Sequence, residues 1–399
     1  IERNKNIDIL RGISIFLVFL YHLEIEIFNY TIFKGGYLGV DIFFLISGYL
    51  ITSILYIKSN DKKFNYKNFL KRRFLRIFPA YILLIFVTLL FGCLIFDPYQ
   101  LLNLTNSATP SILFISNIYF WSVLNDYFFS HASSIPLLHT WSLSVEIQYY
   151  ISISLIFLII KKINFNIKFS LLIIGILSFL IALLFSVTEP YVNFFGFQSR
   201  MWEFILGSFI FFYKDKINLK INLITKYIIY VIIFTFVIVF KETTPSLITL
   251  IFLIFVSVLI LNKNIYKETL DDKFFNFFGL ISYSLYIWHY PIISFSEQFI
   301  FEIDNLTKFF MFLLSIFAGF ISFKLIEKKL NKNTPKTYFI IFFVMVTCFV
   351  LIISITKNDG FPKRMNYNEL YSMDISDHAG TEELKSITKS IETNSTSYY

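Results

Sequence analysis

Charge is scarce in this chain. Asp, Glu, Lys and Arg make up 16% of its 399 residues, against about 25% in ordinary soluble domains. Glycine (13), proline (9) and cysteine (2) are also few. So little glycine and proline excludes collagen and low-complexity disorder, and two cysteines exclude a secreted disulfide scaffold. Cys93 and Cys348 lie inside apolar runs and read as neither metal ligands nor disulfide partners. The polar faces that a soluble α/β enzyme needs are missing. What is abundant is hydrophobic side chain: 56% of residues, 52 of them Phe, with a mean hydropathy of +0.66. The composition is that of a polytopic membrane protein.

A spanning helix needs about 20 mostly apolar residues. Eleven segments qualify, near 7–27, 36–57, 77–96, 140–160, 169–187, 199–213, 227–240, 247–261, 276–296, 307–325 and 337–356. All are expected to be helical, because backbone facing lipid must satisfy its own hydrogen bonds. The net charge of +8 would suit nucleic acid, but its placement points to topology instead. One set of connections (the N-terminus, 58–76, 161–168, 214–226, 262–275 and 324–336) carries 26 Lys and Arg, whereas the alternate set carries only Lys34 and Lys241. Cytoplasmic loops collect Lys and Arg, so the N-terminus is expected inside and, after eleven spans, the C-terminus outside. The polar stretch 357–399 reads as an exported linker too short for its own core. The chain opens on Ile1, which reads as a fragment or a trimmed chain. No signal peptide is expected, since Arg11 and His22 interrupt the first apolar run and no small-residue cleavage site follows it.

Ionisable groups inside spans are costly and mark function. Arg11 and His22 are eleven residues apart, which returns to nearly the same helix face about 16 Å further along. Asp8 lies one turn before Arg11 and is placed to pair with it. Asp41, Glu146 and His289 fall in the outer halves of the second, fourth and ninth spans, with His139 at the head of the fourth. Arg200 and Glu203 open the sixth as a candidate internal ion pair. Each has a plainer reading: a snorkelling Arg, a satisfied core His, a histidine at the water boundary, a structural ion pair. Together they suggest a proton-bearing polar pocket, and no spacing among them makes a metal motif. In 58–76, Lys71-Arg72-Arg73-Phe74-Leu75-Arg76 follows Phe64, Tyr66 and Phe69. This reads as an amphipathic segment on the inner surface. Arg72, Arg73 and Arg76 serve either anionic lipid or a phosphorylated ligand. His131 and His378 carry no assignment.

Five segments in this order resemble the integral-membrane acyltransferase family 3, the bacterial O-acyltransferases of surface glycans. They are Asp8-Ile9-Leu10-Arg11-Gly12 leading to His22, Gly39-Val40-Asp41 with Phe43-Phe44, Arg72-Arg73 with Arg76, His139-Thr140-Trp141-Ser142-Leu143 with Val145-Glu146, and Ser282-Tyr283-Ser284-Leu285-Tyr286 with Trp288-His289. The resemblance implies an all-α fold, with a ten-helix acyltransferase domain over 1–330 and an eleventh helix at 337–356. It also implies essential roles for Arg11 and His22, and acetyl-CoA as acyl donor at the basic loop. An eleventh helix accompanies members that carry an exported, hydrolase-like SGNH domain. Ser116-Asn117-Ile118-Tyr119-Phe120-Trp121, expected in an exterior loop, and Asp359-Gly360-Phe361-Pro362-Lys363-Arg364 fit that subtype. No Gly-Asp-Ser block follows, so the SGNH domain is expected to be absent from this chain.

The expected reaction moves an acyl group, acetyl by family habit, from cytoplasmic acyl-CoA to hydroxyls of an exported glycan across the bacterial inner membrane. Lipopolysaccharide O-antigen, another polysaccharide and peptidoglycan all fit as acceptor. Arg72, Arg73 and Arg76 would hold the donor phosphates and Arg11 its inner part. His22 would act as base or as acyl carrier, with Glu146 or Asp41 orienting its ring. No metal and no nucleic-acid partner is expected. Buried His and carboxylates also suit a glycan flippase or proton-coupled transporter, though the paired halves common in transporters are not visible. A membrane anchor for an exported domain would explain the tail but not the buried polar set.

Overall fold

A computed structural model describes residues 5–28, 30–58, 64–124, 135–240, 245–263, 269–299 and 304–364. His131, His378 and the expected tail beyond residue 364 lie outside them. Among the described residues the chain is helical apart from one two-residue antiparallel pair, β1 (Glu26–Ile27) with β2 (Tyr30–Thr31). Each of the eleven expected segments carries a helix. They are α1 (Lys5–His22), α2 (Leu38–Lys58), α3 (Tyr66–Ile95), α6 (Thr140–Lys162), α7 (Ile167–Thr188), α9 (Phe197–Tyr213), α10 (Leu223–Val239), α11 (Leu247–Leu261), α12 (Leu270–Phe299), α13 (Asn305–Ser322) and α15 (Pro335–Lys357). The connections hold α4 (Pro98–Ile112), α5 (Ser116–Leu124) and α8 (Pro190–Phe195), and a π-helical turn at Phe323–Glu327 leads into α14 (Lys328–Leu330).

Asn65, Asn166, Asn222, Ser246, Asp304 and Thr334 cap helix N-termini with their side chains, the role short polar residues play where backbone N–H groups lack partners. Six of the helical stretches are long and apolar enough to cross a membrane, and α10 and α11 are shorter apolar helices. The outward faces confirm a lipid environment. On α13, Leu306, Phe309, Phe310, Leu313, Leu314 and Phe317 are exposed, a stripe at helical spacing that water would not tolerate. α7 and α15 show the same stripes. The protein is therefore a multi-pass membrane protein.

Three expectations need correction. The basic segment 66–76 is not a separate surface element but the first turns of the 30-residue helix α3, which continues through Pro79 to Ile95. The connection 97–139 holds two helices, and Ser116–Trp121 forms most of α5, packed on α6 and α8. The first span stops at His22 and not at 27, because the chain turns at Glu24, where φ is +45°, into the β1–β2 pair.

Two helix pairs make the centre: α1 against α12, and α2 against α9. Both depend on glycine. A Cβ on Gly12 would lie 1.8 Å from Phe275 O, and one on Gly279 1.9 Å from Asp8 O. The same holds for Gly48 against Phe204 O (1.8 Å) and Gly207 against Leu45 O (2.0 Å). The backbones touch where no side chain intervenes. Gly12→Ala and Gly48→Ala should each lower thermal stability in detergent by about 1–3 kcal/mol through overpacking. Gly175→Ala should cost less, since its Cβ would first meet only the side-chain Cγ2 of Ile205, at 2.9 Å. Equal melting shifts for all three would show that the bare-backbone contacts carry no special weight.

Candidate active site

α1, α2, α3, α6 and α12 enclose a cavity of about 90 Å³. Arg11, Arg73 and Arg76 line it with Glu146, Ser47, Ser142, Tyr150, Tyr283 and Tyr286. Glu146 is held by two donors, Ser47 Oγ at 2.5 Å and the Tyr150 hydroxyl one turn further along α6. Three guanidinium groups, one carboxyl group and several hydroxyls therefore share one narrow space. Arg73 and Arg76 reach it because they are three residues apart on a helix and so face the same way. Arg72 is exposed and does not line it, although the sequence reading groups it with Arg73 and Arg76.

The cavity ends at Tyr286 of α12. Its hydroxyl shares a 2.6 Å hydrogen bond with Ser142 Oγ and donates to His139 O at 3.0 Å. Its ring centroid is 5.7 Å from that of His139 and 5.5 Å from that of His289. Beyond it stand three imidazoles: His22 at the end of α1, His139 just before α6 and His289 within α12. His22 Nδ1 is 3.1 Å from His289 Nε2, and the His139 ring lies 5.9 Å from His289. His139 and His289 are both buried, so neither is a water-boundary residue. His22 closes α1, and Gly12 and Gly279 lie ten residues before His22 and His289 respectively. One close backbone contact thus sets both histidines at the same height.

The hydrogen bonds dictate a tautomer. His289 Nδ1 is 2.6 Å from the carbonyl oxygen of Tyr286, which can only accept. In the neutral ring that nitrogen carries the proton, and Nε2 is left as an acceptor. His22 Nδ1 must then be the donor to it, leaving a lone pair on His22 Nε2. A backbone carbonyl, relayed through His289, thereby prepares His22 to take a proton or attack a carbonyl carbon.

Asp41 lies elsewhere. It accepts from Arg200 Nη1 at 2.5 Å, and Glu203 accepts from the same nitrogen at 3.1 Å. Arg200 and Glu203 thus form the internal ion pair their spacing suggested, with Asp41 recruited from α2. The acceptor next to the His22 ring is a second histidine, not a carboxylate, and Glu146 faces the arginines. Sequence reasoning missed Glu327, whose carboxylate accepts from Ser284 Oγ at 2.8 Å. Its position depends on the π-helical turn, which no pattern in the sequence announces. Tyr150 and Ser47 were equally unannounced, being ordinary residues of apolar helices, and Tyr286 figured in the fifth segment without a role. Among the described residues no group of His, Cys, Asp and Glu could hold a metal ion.

A helical membrane bundle with an arginine-lined cavity under a histidine cluster defines a class, and comparison places the chain within it. An acyltransferase domain family matches residues 4–324, and the chain belongs to that family. It is 31% identical over 360 residues to the O-acetyltransferase OatA of Staphylococcus aureus (strain NCTC 8325 / PS 47), covering 83% of this chain and 58% of that protein. It is 31% identical over 363 residues to the peptidoglycan O-acetyltransferase OatA of Listeria monocytogenes serovar 1/2a, covering 84% of this chain and 57% of that one. The chain therefore spans less than two thirds of the length of these relatives. No solved structure matches it.

Tyr150→Phe removes one of the two donors to Glu146 and should lower stability by about 1 kcal/mol. Thermal unfolding of the purified protein checks this, and an unchanged midpoint would mean that Ser47 alone suffices.

Proposed function

We propose that this protein is an O-acetyltransferase that takes an acetyl group from cytoplasmic acetyl-CoA and places it on hydroxyls of a glycan outside the membrane. One observation carries the reading: Tyr286 lines the arginine cavity and its ring lies 5.5 Å from that of His289, which bonds His22. Guanidinium groups bind phosphate in a forked geometry, so Arg73 and Arg76 hold the donor at the inner end, with Arg11 deeper. The narrow cavity suits the acyl-pantetheine arm better than a nucleotide. His22 Nε2 then serves in one of two ways. As base it takes the proton of an acceptor hydroxyl, whose oxygen attacks the thioester while the thiolate leaves and recovers that proton. As nucleophile it carries the acetyl group briefly and passes it to the hydroxyl. The glycan is peptidoglycan on the strength of the Listeria relative's name, and O-antigen is the competing acceptor. An SGNH domain, which the resembling subtype carries and which is expected to be absent from this chain, would complete transfer on the outer side.

The test is transfer from radiolabelled acetyl-CoA in inside-out vesicles, with base-labile acetate counted in separated peptidoglycan and lipopolysaccharide fractions. His22→Ala should reduce turnover by about 10²–10⁴-fold, the usual worth of general acid–base catalysis. His289→Ala should lower kcat without raising the KM for acetyl-CoA. Arg73→Ala and Arg76→Ala should each raise that KM by tenfold or more, a loss of about 1.5–3 kcal/mol, and more than Arg72→Ala does. Near-normal turnover in a well-expressed His22→Ala variant would sink the assignment. Glycan movement independent of acetyl-CoA would favour the flippase.

Sidedness is part of the proposal. The ends of α3 stand about 45 Å apart at 1.5 Å per residue. Lys71 Nζ, near its start, lies 4.9 Å from the Tyr338 ring at the start of α15, while Arg364, just beyond α15, donates to Cys93 O and Phe96 O at the end of α3. Lys67 and Lys357 are therefore at opposite ends of the bundle. With Cys93 and Cys348 replaced, Lys357→Cys should react with an impermeant maleimide in intact spheroplasts, and Lys67→Cys only after the membrane is opened. Labelling of both from one side would remove the basis for transfer across the membrane.

A further inference from the structure

A second polar centre lies outside the transfer site, and its charges do not balance. Arg200, Asp41 and Glu203 are each at most 1% exposed. One guanidinium nitrogen, Arg200 Nη1, binds both Asp41 Oδ1 and Glu203 Oε1. Arg200 Nε donates to Phe194 O at 2.9 Å, and its guanidinium lies over the rings of Phe194 and Trp141, 5.1 and 5.5 Å from their centroids. These aromatic walls leave no room for bulk water. The second oxygens of the two acids, Asp41 Oδ2 and Glu203 Oε2, have no hydrogen-bond partner among the described residues. Both carboxyl groups converge on that one guanidinium nitrogen, at 2.5 and 3.1 Å, and each keeps one buried oxygen without a donor.

The possible protonation states can be compared. With both acids ionised, two carboxylates share one cation and the cluster keeps an uncompensated buried negative charge, which is strongly unfavourable. With both protonated, the guanidinium loses its counter-charge. With one proton on the pair, the cluster is neutral: one carboxylate balances the guanidinium and the other acid carries no charge. Among the described residues Arg200 is the one cation bonded to either acid. Glu146 differs, because it shares its cavity with three arginines.

We propose that Asp41 and Glu203 hold one proton between them, making a single-proton binding site that joins α2 to α9. The proton lets two acids and one guanidinium sit inside the bilayer without net charge. This proposal does not depend on acetyl transfer.

Infrared spectroscopy of the purified full chain in lipid nanodiscs tests it, read at the carbonyl stretch of protonated carboxylic acids and its shift in D2O. Wild type should show a component that is absent in both D41N and E203Q. Each amide stands in for the protonated acid, so each single variant should keep a melting temperature close to that of wild type. The double variant D41N/E203Q buries an unpaired guanidinium and should melt clearly lower. A carbonyl region unchanged by both substitutions would overturn the proposal. So would a single variant that melts as low as the double, or a wild-type melting temperature that rises with added sodium or potassium, because a bound cation would then occupy the place of the proton.

Discussion

The contact between α1 and α12 at bare backbone governs the chemistry of this molecule. Lipid offers no hydrophobic drive between helices, so close packing and polar bonds must hold them together. Gly12 and Gly279 let the two helices meet where any side chain would collide with a carbonyl. Ten residues further along each helix, that approach becomes the 3.1 Å contact between His22 and His289. The relay from the Tyr286 carbonyl through His289 to His22 exists only because the spacing below it is this tight. α2 and α9 repeat the device with Gly48 and Gly207, and there the polar consequence is the Arg200 cluster.

Polar groups in this bundle fall into three layers with different solutions to desolvation. At the α3 start, Arg11, Arg73 and Arg76 line a cavity with the single carboxyl group of Glu146. At the α1 end, imidazoles satisfy one another and a backbone carbonyl. On the α2–α9 side, carboxyl groups outnumber the cation. Tyr286 belongs to the first two layers at once. Its hydroxyl closes the cavity through Ser142, and its ring and carbonyl contact the histidines. The reaction proposed above would give such a partition a reason, because a charged donor and a neutral reaction centre need different surroundings.

Much of this was legible in the amino-acid order. Apolar runs and the alternation of Lys and Arg between connections located eleven helices, because a helix must cover about 30 Å of hydrocarbon and basic loops stay inside. The same patterns failed for α4 and α5, since helices in a connection face no lipid and need no uniform apolar run. They also failed at residues 66–76, where a helix and an amphipathic surface segment have the same period. Arg11, His22 and Glu146 were visible because an ionisable group in an apolar run stands out.

What the sequence determined by itself is therefore the helical class, the family and the identity of the unusual residues, all of which depend on local composition and order. Only the tertiary structure decided their partners. Asp41 could have faced His22 or Arg200, and Arg72 could have shared the cavity with Arg76. His139 and His289 could have met water. Each choice turned on helix rotation and on close backbone approach at glycines, quantities summed over many side-chain contacts between segments distant in the chain. No local pattern encodes them, which is why the acceptor that fixes the His22 tautomer, through His289, is a carbonyl oxygen 264 residues away.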